Sequence, residues 1–427
     1  MRKYARILAF LLVIAALLTA CSSGKKDAPA QDAASAAFTP KLDTSKAVEL
    51  NAAVFFGNFE ALDQVINHFS EFYPNVKIYY EQQFTHKGGF LEDNPSIDIF
   101  MTSCERGYPV EGCLDLKAAG VDVSYVEADM LLPFTEDGKL LSLPMGQTLK
   151  GMVVNKSLLE KEGLSVPQTW PDFLNVLETL KQKGYTPIQG PDSAVSSIGY
   201  DMAMAMLASD PALYKAVTTG DTAGAAKLQA VFDRVAELQE KGYFSVEVDA
   251  AYPEDNYDGA IMKFLEGDVP FWVCDTEKVS GMKKRESKSE NFTANPFSYE
   301  FIYAPLGDDG VYEYVEPWYG FSVNKNSASV DYAVEFLRFM ARQDELNTMA
   351  SIKGVPSVAK ETTDARYVGL SKVEKIAASV TSDGSVPAYI GTLFSSAAGE
   401  LISGEAADSA AAVASFVDAC TQSTQEA

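Results

Sequence analysis

Histidine is nearly absent from this chain: His68 and His86 are the two in 427 residues. Among five cysteines no CxxC occurs, so zinc ligands are too few and no metal site is expected. No two glycines are spaced as GxG, which removes the dinucleotide fingerprint. GxxxxGK[ST], GxSxG and HExxH are missing too. In the folded part SxxK recurs at Ser280, Ser322 and Ser357, but without the SDN or KTG partners that would give it meaning. No cofactor and no enzyme activity are expected. A facing carboxylate pair of the glycosidase kind stays open, because 59 acidic residues always supply some pair.

Basic residues are also scarce. Lys and Arg total 35 against 59 Asp and Glu, a formal net charge of −24. Nucleic acid is excluded as a partner, since phosphate recognition needs a basic footprint. The densest cluster, Lys283-Lys284-Arg285 with Lys288, lies beside Glu286 and Glu290 and reads as a solvated loop. Apolar residues make up 47% and charged residues 22%, the balance of a soluble globular protein of two or three domains.

The N-terminus reads as an export signal. Arg2, Lys3 and Arg6 precede an apolar run from Ile7 to Leu18, too short to span a bilayer as a helix. Leu18-Thr19-Ala20-Cys21, followed by Ser22-Ser23-Gly24, resembles a bacterial lipobox. That resemblance implies a signal peptide at 1–20, cleavage before Cys21, and lipid on its sulfur. Two acyl chains hold a protein durably where one does not. The expected location is the extracytoplasmic face of the bacterial cell membrane. Residues 21–46 are rich in Ala, Ser, Asp, Lys and Pro without periodicity, and read as a tether with a reach of roughly 25–30 Å. Cys104 and Cys113 are close enough in sequence to pair, but spacing does not establish a disulfide.

Beyond the tether the pattern is mixed α/β. Leu50 to Phe56 reads as a strand. Leu62, Val65, Ile66, Phe69 and Phe72 form a helical stripe, and Val76 to Tyr80 a second strand. This is a βαβ unit, which builds parallel sheets. Ile97 to Met101 and Lys150 to Val154 read as further strands. Thr169 caps a helix opened by Trp170-Pro171, and Val330 to Arg342 is amphipathic. No internal repeat occurs, and no Pro/Ser linker separates two halves.

The stretch Asp137 to Ile188 carries the strongest resemblance. A DGK turn, a Leu-Pro segment, Val-Val-Asn-Lys, a helix ending at Gly163 and Val-Pro-x-Thr-Trp-x-x-Phe follow in order. The chain resembles the extracellular solute-binding proteins of ABC importers, in the class that takes up sugars and oligosaccharides. Phe69 to Tyr79, Ser96 to Phe100, Gly320 to Met340 and Gly354 to Ser357 agree with it. The resemblance implies an α/β, two-lobe periplasmic-binding-protein-like fold with hinge strands and a central ligand cleft. Lobe 1 would comprise 47–147 plus 321–355, and lobe 2 148–320 plus 356–427. Met145 to Gly151 and Glu316 to Phe321 would be two crossings, with a third near Val355–Val358.

A sugar site needs aromatic faces and planar polar side chains. Trp318 and Tyr319, at the second crossing, are expected to line the cleft, as is Gln147 at the first. Trp170 is expected to be structural and Trp272 to lie in the core. Loops after the first-lobe strands offer Phe56, Asn58, Glu60, Glu81, Glu105 and Arg106, and Asp192 follows the Thr186–Ile188 strand. Relatives in this class often carry Gly-Ser/Thr-Trp after the strand at Val269 to Val273. Here Cys274-Asp275-Thr276-Glu277 stands instead, so Asp275 and Glu277 could take hydroxyls or attract a cation. The expected function is a lipid-anchored, monomeric substrate-binding component that captures a small polar solute, a carbohydrate first, and delivers it to ABC permease subunits. The alternatives are a sensor or adhesion lipoprotein on the same fold, a surface hydrolase, and a binding protein for a peptide or polyamine.

Overall fold

The computed structural model describes residues 37–85, 89–103, 110–190, 192–244, 257–363 and 368–426, and every element below lies in the unit Phe38–Ala427. Strand β1 (Val48–Val54) leads into helix α1 (Glu60–Phe72). Leu62, Val65 and Phe69 of α1 point inward at helical spacing. Strand β2 (Val76–Gln82) returns parallel to β1, and the fully buried β3 (Ile99–Ser103) pairs on β1's other side. The expected βαβ unit is present.

Strands β4 (Leu143–Thr148) and β5 (Lys150–Asn155) follow, separated by Leu149 alone. Helix α2 (Trp170–Gln182) starts where Thr169 Oγ1 accepts from Asp172 N at 3.3 Å, with Pro171 in the first turn. Trp170 is buried, with the Arg234 guanidinium 4.8 Å over its ring, in the structural role expected of it. Next come β6 (Ile188–Gln189), helix α3 (Tyr200–Ser209), β7 (Phe271–Asp275), and two short helices, α4 (Thr276–Val279) and α5 (Met282–Glu286). Strand β8 (Tyr299–Ile302) precedes β9 (Val311–Val323). Helices α6 (Val330–Met340) and α7 (Gln343–Lys353), strand β10 (Ile376–Thr381), and helices α8 (Ala388–Ser403) and α9 (Ser409–Glu426) complete the chain.

Two principal sheets result. The first has the order β10-β9-β3-β1-β2, with β4 also paired to β9. The second has the order β8-β5-β7-β6. One large core gathers α1, α6 and α7 around the first sheet, including Val65, Phe69, Phe321, Phe336 and Met349. Another gathers α2, α3, α8 and α9 on the second sheet, including Phe173, Phe232, Phe394 and Phe416. A third covers the other face of the second sheet, where Trp272 is fully buried and stacks on Phe264.

The chain crosses between the halves at Leu149 and again along β9. At the second crossing Gly320 cannot carry a side chain: an added Cβ would sit 2.6 Å from the Leu143 carbonyl oxygen. The third crossing is displaced from its expected place. Val355, Val358 and Ala359 belong to the first core, and Ala359 bridges to Val126. The chain is bonded there as far as Glu361, whose carbonyl accepts from Asn347 Nδ2 at 2.8 Å. It reappears in the other half at Leu370, bridged to Phe301.

The expected tether is also shorter at its end than composition suggests. Phe38 is buried, edge-on to Phe72 at 5.2 Å and Phe339 at 5.0 Å, with the Arg338 guanidinium 4.3 Å over its face. Lys41 N and Tyr73 Oη both donate to Glu335 Oε1, at 2.9 and 2.5 Å. One aromatic residue and the Lys41 backbone N–H therefore tie down a segment whose composition reads as loose. Burial pushes the Glu335 carboxyl up, but Arg338, Tyr73 and the Lys41 N–H together hold it below its ordinary value. A depressed carboxylate stabilises above its unfolded pKa, and that contribution is lost as pH falls through the folded value. Phe38→Ala is expected to destabilise by about 3 kcal/mol, read from the urea midpoint. Glu335→Gln is expected to destabilise at pH 7 and to lose that effect in acid.

Candidate functional site

Ligand sites in open α/β sheets form beyond the carboxyl ends of the strands. Strand β1 ends at Val54, and the loop after it presents Phe56 and Asn58, and the start of α1 Glu60, to a cavity of about 390 Å³. Ile352 and Lys353, in the last turn of α7, complete this wall. Gly354 makes their position possible. Its left-handed φ of 74° ends the helix, and its N–H donates to Ala350 O at 2.8 Å. The facing wall comes from the other half: Glu277 in α4, then Ser280, Gly281, Lys284 and Arg285 around α5.

An ion pair joins the walls. Lys284 Nζ lies 2.6 Å from Glu60 Oε2, with both side chains substantially exposed. Arg285 is occupied by Asp258, donating from Nε at 2.8 Å, and by the Gly281 carbonyl at 3.0 Å. Lys353 has a different environment. Its ammonium lies 3.6 Å from the Phe56 ring centre, 5.0 Å from Trp318 and 5.9 Å from Phe59. Burial draws its pKa down to about 8, against the opposing pull of Glu277, and Lys284 adds to the depression.

Behind the cavity the crossing strands are fixed to one another. Gln147 N donates to Pro356 O at 3.1 Å, and Gln147 Nε2 to Ser357 O at 2.5 Å. Leu149 N donates to Thr276 Oγ1 at 3.0 Å. Lys150 pairs with Asp275 at 3.8 Å and lies over the Tyr200 ring at 5.5 Å. Tyr200 Oη donates to Glu316 Oε2 at 2.7 Å. The neighbouring Asp201 is buried, and its Oδ1 has no hydrogen-bond partner among the described residues. Burial foremost, and Glu316 next, push the Asp201 carboxyl well above its ordinary range, while Lys150 pulls it back.

Of the residues expected at the site, the structure brings Phe56, Asn58, Glu60 and Glu277 together on the cavity walls. Trp318 sits one layer behind them, 7% exposed, with its ring 5.7 Å from Phe56. Tyr319 does not line the cleft. It is fully buried in the first core, packed against Phe59 and Phe321, on a stretch of β9 that is buried throughout. Gln147 serves the crossing strands, as above. Asp275 caps α4 by accepting from Lys278 N at 2.9 Å and pairs with Lys150, so it is committed to structure. Glu81 stands exposed on β2, an edge strand, with Gln83 Nε2 donating to it. Cys21, Cys104, Glu105 and Arg106 lie outside the described residues, as does the side chain of Asp192.

Sequence reasoning missed Lys353, Lys284 and Arg285. The basic cluster at 283–285 is not a loop. It forms α5, whose Lys283 pairs outward with Glu286 at 2.6 Å while the next two residues face the cavity. Adjacent helical residues diverge by about 100°, so one basic run can serve both solvent and cleft.

Two α/β halves joined by crossing strands, with a cavity walled by both, define a class: proteins that hold a solute between two lobes. This chain belongs to the bacterial extracellular solute-binding protein family, whose description matches residues 92–375. An uncharacterised ABC transporter extracellular-binding protein of Pyrococcus horikoshii is 26% identical over 217 residues, 46% of this chain and 48% of that one. The melibiose/raffinose/stachyose-binding protein of Bacillus subtilis is 31% identical over 83 residues, 18% of this chain and 20% of that one. The chain thus spans half or less of the curated relatives it matches. A solved chitin oligosaccharide binding protein shares the fold, with a TM-score of 0.65 at 18% identity, covering 89% of this chain and 99% of that one. Among the described residues no helix is long and apolar enough to cross a membrane, and no group of three His, Cys, Asp or Glu is placed to hold a metal ion.

Two expectations follow. An exposed ion pair contributes at most about 1 kcal/mol. Lys284→Met should therefore raise the open population less than tenfold, measured by fluorescence transfer between dyes on the two halves, with the difference vanishing in molar salt. A carboxyl whose pKa is raised by folding costs stability as pH rises through the folded value. Asp201→Asn should therefore stabilise the protein more at pH 8 than at pH 5 in urea unfolding.

Proposed function

We propose that the chain is the substrate-binding component of an ABC importer that captures a saccharide between its lobes and delivers it to a membrane permease. Membership of the solute-binding family supports the binding role, and the ABC transporter extracellular-binding relative of Pyrococcus supports the transport role. The cavity carries the reading: an aromatic face at Phe56, polar and charged groups at Asn58, Glu60 and Glu277, and walls drawn from both halves. An aromatic ring flanked by planar hydrogen-bonding groups suits a pyranose, apolar on its faces and hydroxylated at its rim. The sugar-binding relatives support the same class of ligand.

A polyamine is disfavoured. Asp275 is engaged with Lys150 and α4, and Lys284, Arg285 and Lys353 all stand on the cavity walls. Lobe 1 comprises residues from Phe38 to about 148 with about 316–361, and lobe 2 about 149–315 with about 370–426, pivoting on β9 and Leu149. Closure is then a hinge motion, driven by the ligand's greater affinity for the closed form. The protein is exported by residues 1–20, anchored through lipid on Cys21, and works as a monomer on the extracytoplasmic face of the membrane.

The test is a titration with a panel of oligosaccharides, followed by tryptophan fluorescence and calorimetry. Trp170 and Trp272 are packed in cores away from the cavity, whereas Trp318 touches Phe56. The expected result is a saturable emission change that Trp318→Phe abolishes while calorimetric binding persists. Phe56→Ala should weaken binding at least tenfold. Absence of binding across the saccharide panel, with binding of a peptide or polyamine instead, would overturn the saccharide reading.

A further inference from the structure

The cavity's charges are unequally satisfied. Glu60 has Lys284, and Arg285 has Asp258. Among the described residues Lys353 makes no ion pair and no hydrogen bond. Its ammonium is held on the Phe56 ring at 3.6 Å, with Trp318 beneath at 5.0 Å, and faces the cavity. The ionisable groups turned toward it come from three elements: Glu277 on α4, Lys284 and Arg285 on α5, and Glu60 on α1. Aromatic faces attract a cation, yet they offer no lone pair to its three N–H groups.

A half-buried ammonium without an acceptor is an unfavourable arrangement unless something else supplies the acceptor. A neutral hydroxyl would supply a hydrogen bond. A carboxylate would supply the hydrogen bond and the countercharge together, which is the stronger charge-assisted interaction. Lys284 and Arg285 on the opposite wall are each already paired with an acid, so the countercharge demand is that of Lys353. Asn58, on the same wall as Phe56, offers an amide to hydroxyl groups of the same ligand. With Lys284 paired to Glu60 and Arg285 to Asp258, Lys353 is the cation of the cleft wall left without a paired acid among the described residues.

We propose that the cleft selects a saccharide bearing a carboxylate, that is, a uronate unit, and that the Lys353 ammonium is the group that takes it. This rests on the saccharide reading given above. The uronate ring lies against Phe56, and its carboxylate replaces the aromatic face as the principal partner of Lys353. The selectivity is electrostatic and local, so it is exerted on contact and not by long-range steering, which the overall negative charge opposes.

The experiment compares oligomers of galacturonate, glucuronate and mannuronate with their methyl esters, which keep the shape and remove the charge, and with neutral oligosaccharides of the same length. Calorimetry on the intact protein is the readout. The expected result is that one uronate series binds at least tenfold more tightly than its methyl ester. Lys353→Met should abolish that preference with an unchanged melting temperature, and Lys353→Arg should retain it. A carboxylate beside Lys353 also restores the ammonium's proton. With a free pKa of about 8, binding at pH 8 should take up about half a proton, seen as buffer-dependent enthalpy and absent in Lys353→Met. Acid and ester binding equally, or a preference that survives Lys353→Met, would overturn the inference. Binding of neutral oligosaccharides without any uronate would overturn it and leave the saccharide reading standing. Binding of no saccharide at all would remove both.

Discussion

One strand governs the molecule. β9 runs unbroken from Val311 to Val323, yet its two ends belong to different surroundings. The first part pairs in parallel with β10 and sends Val311 and Tyr314 into cores shared with the second sheet. The second part pairs antiparallel with β3 and β4 and sends Tyr319, Phe321 and Val323 into the first core. A strand's ladder resists stretching but tolerates twist, so a continuous strand keeps two halves at a fixed separation while letting them rotate. Leu149, a single residue between β4 and β5, imposes the same constraint at the other crossing.

That geometry decides what can reach the cavity. Helices α1 and α7 end or begin at the near wall, and α4 and α5 at the far one. Each wall is rigid because a large core stands behind it, so a change in the gap must come from the crossings. The Glu60–Lys284 pair spans the gap in solvent, where it gives direction to closure but little energy. Lys353 is set differently. Its main-chain position is fixed by the last turn of α7 and the left-handed Gly354, and its ammonium rests on an aromatic shelf inside one wall.

Much of this was legible from residues. The periodicities at 62–72 and 76–80 place the first βαβ unit, and strand-following loops hold Phe56, Asn58 and Glu60 as candidates that meet at the cavity. Glu277 was reachable from its place after a buried strand. Its neighbour Asp275 was not separable from it by sequence. Both are acids two residues apart, and only the start of α4 makes one a cap and the other a cavity residue. Trp318 and Tyr319 show the same limit: both are buried in the first core, and adjacency in sequence does not say that Trp318 backs Phe56 while Tyr319 packs on Phe59 and Phe321. Phe38 lay hidden in a polar stretch, because a single aromatic has no periodicity.

The two-lobed class was implied only by resemblance to a family, whereas the first βαβ unit, the helix cap at Thr169 and the acidic balance are properties of local sequence. They depend on neighbours within a few positions, where propensity and spacing act. The pairing of Lys284 with Glu60 joins positions 224 residues apart. The placement of Lys353 over Phe56 and the burial of Asp201 beside Glu316 likewise join distant positions. Such contacts arise only when two cores have formed and been set side by side. A charge's surroundings, and hence its chemistry, are fixed by what folding brings next to it in space.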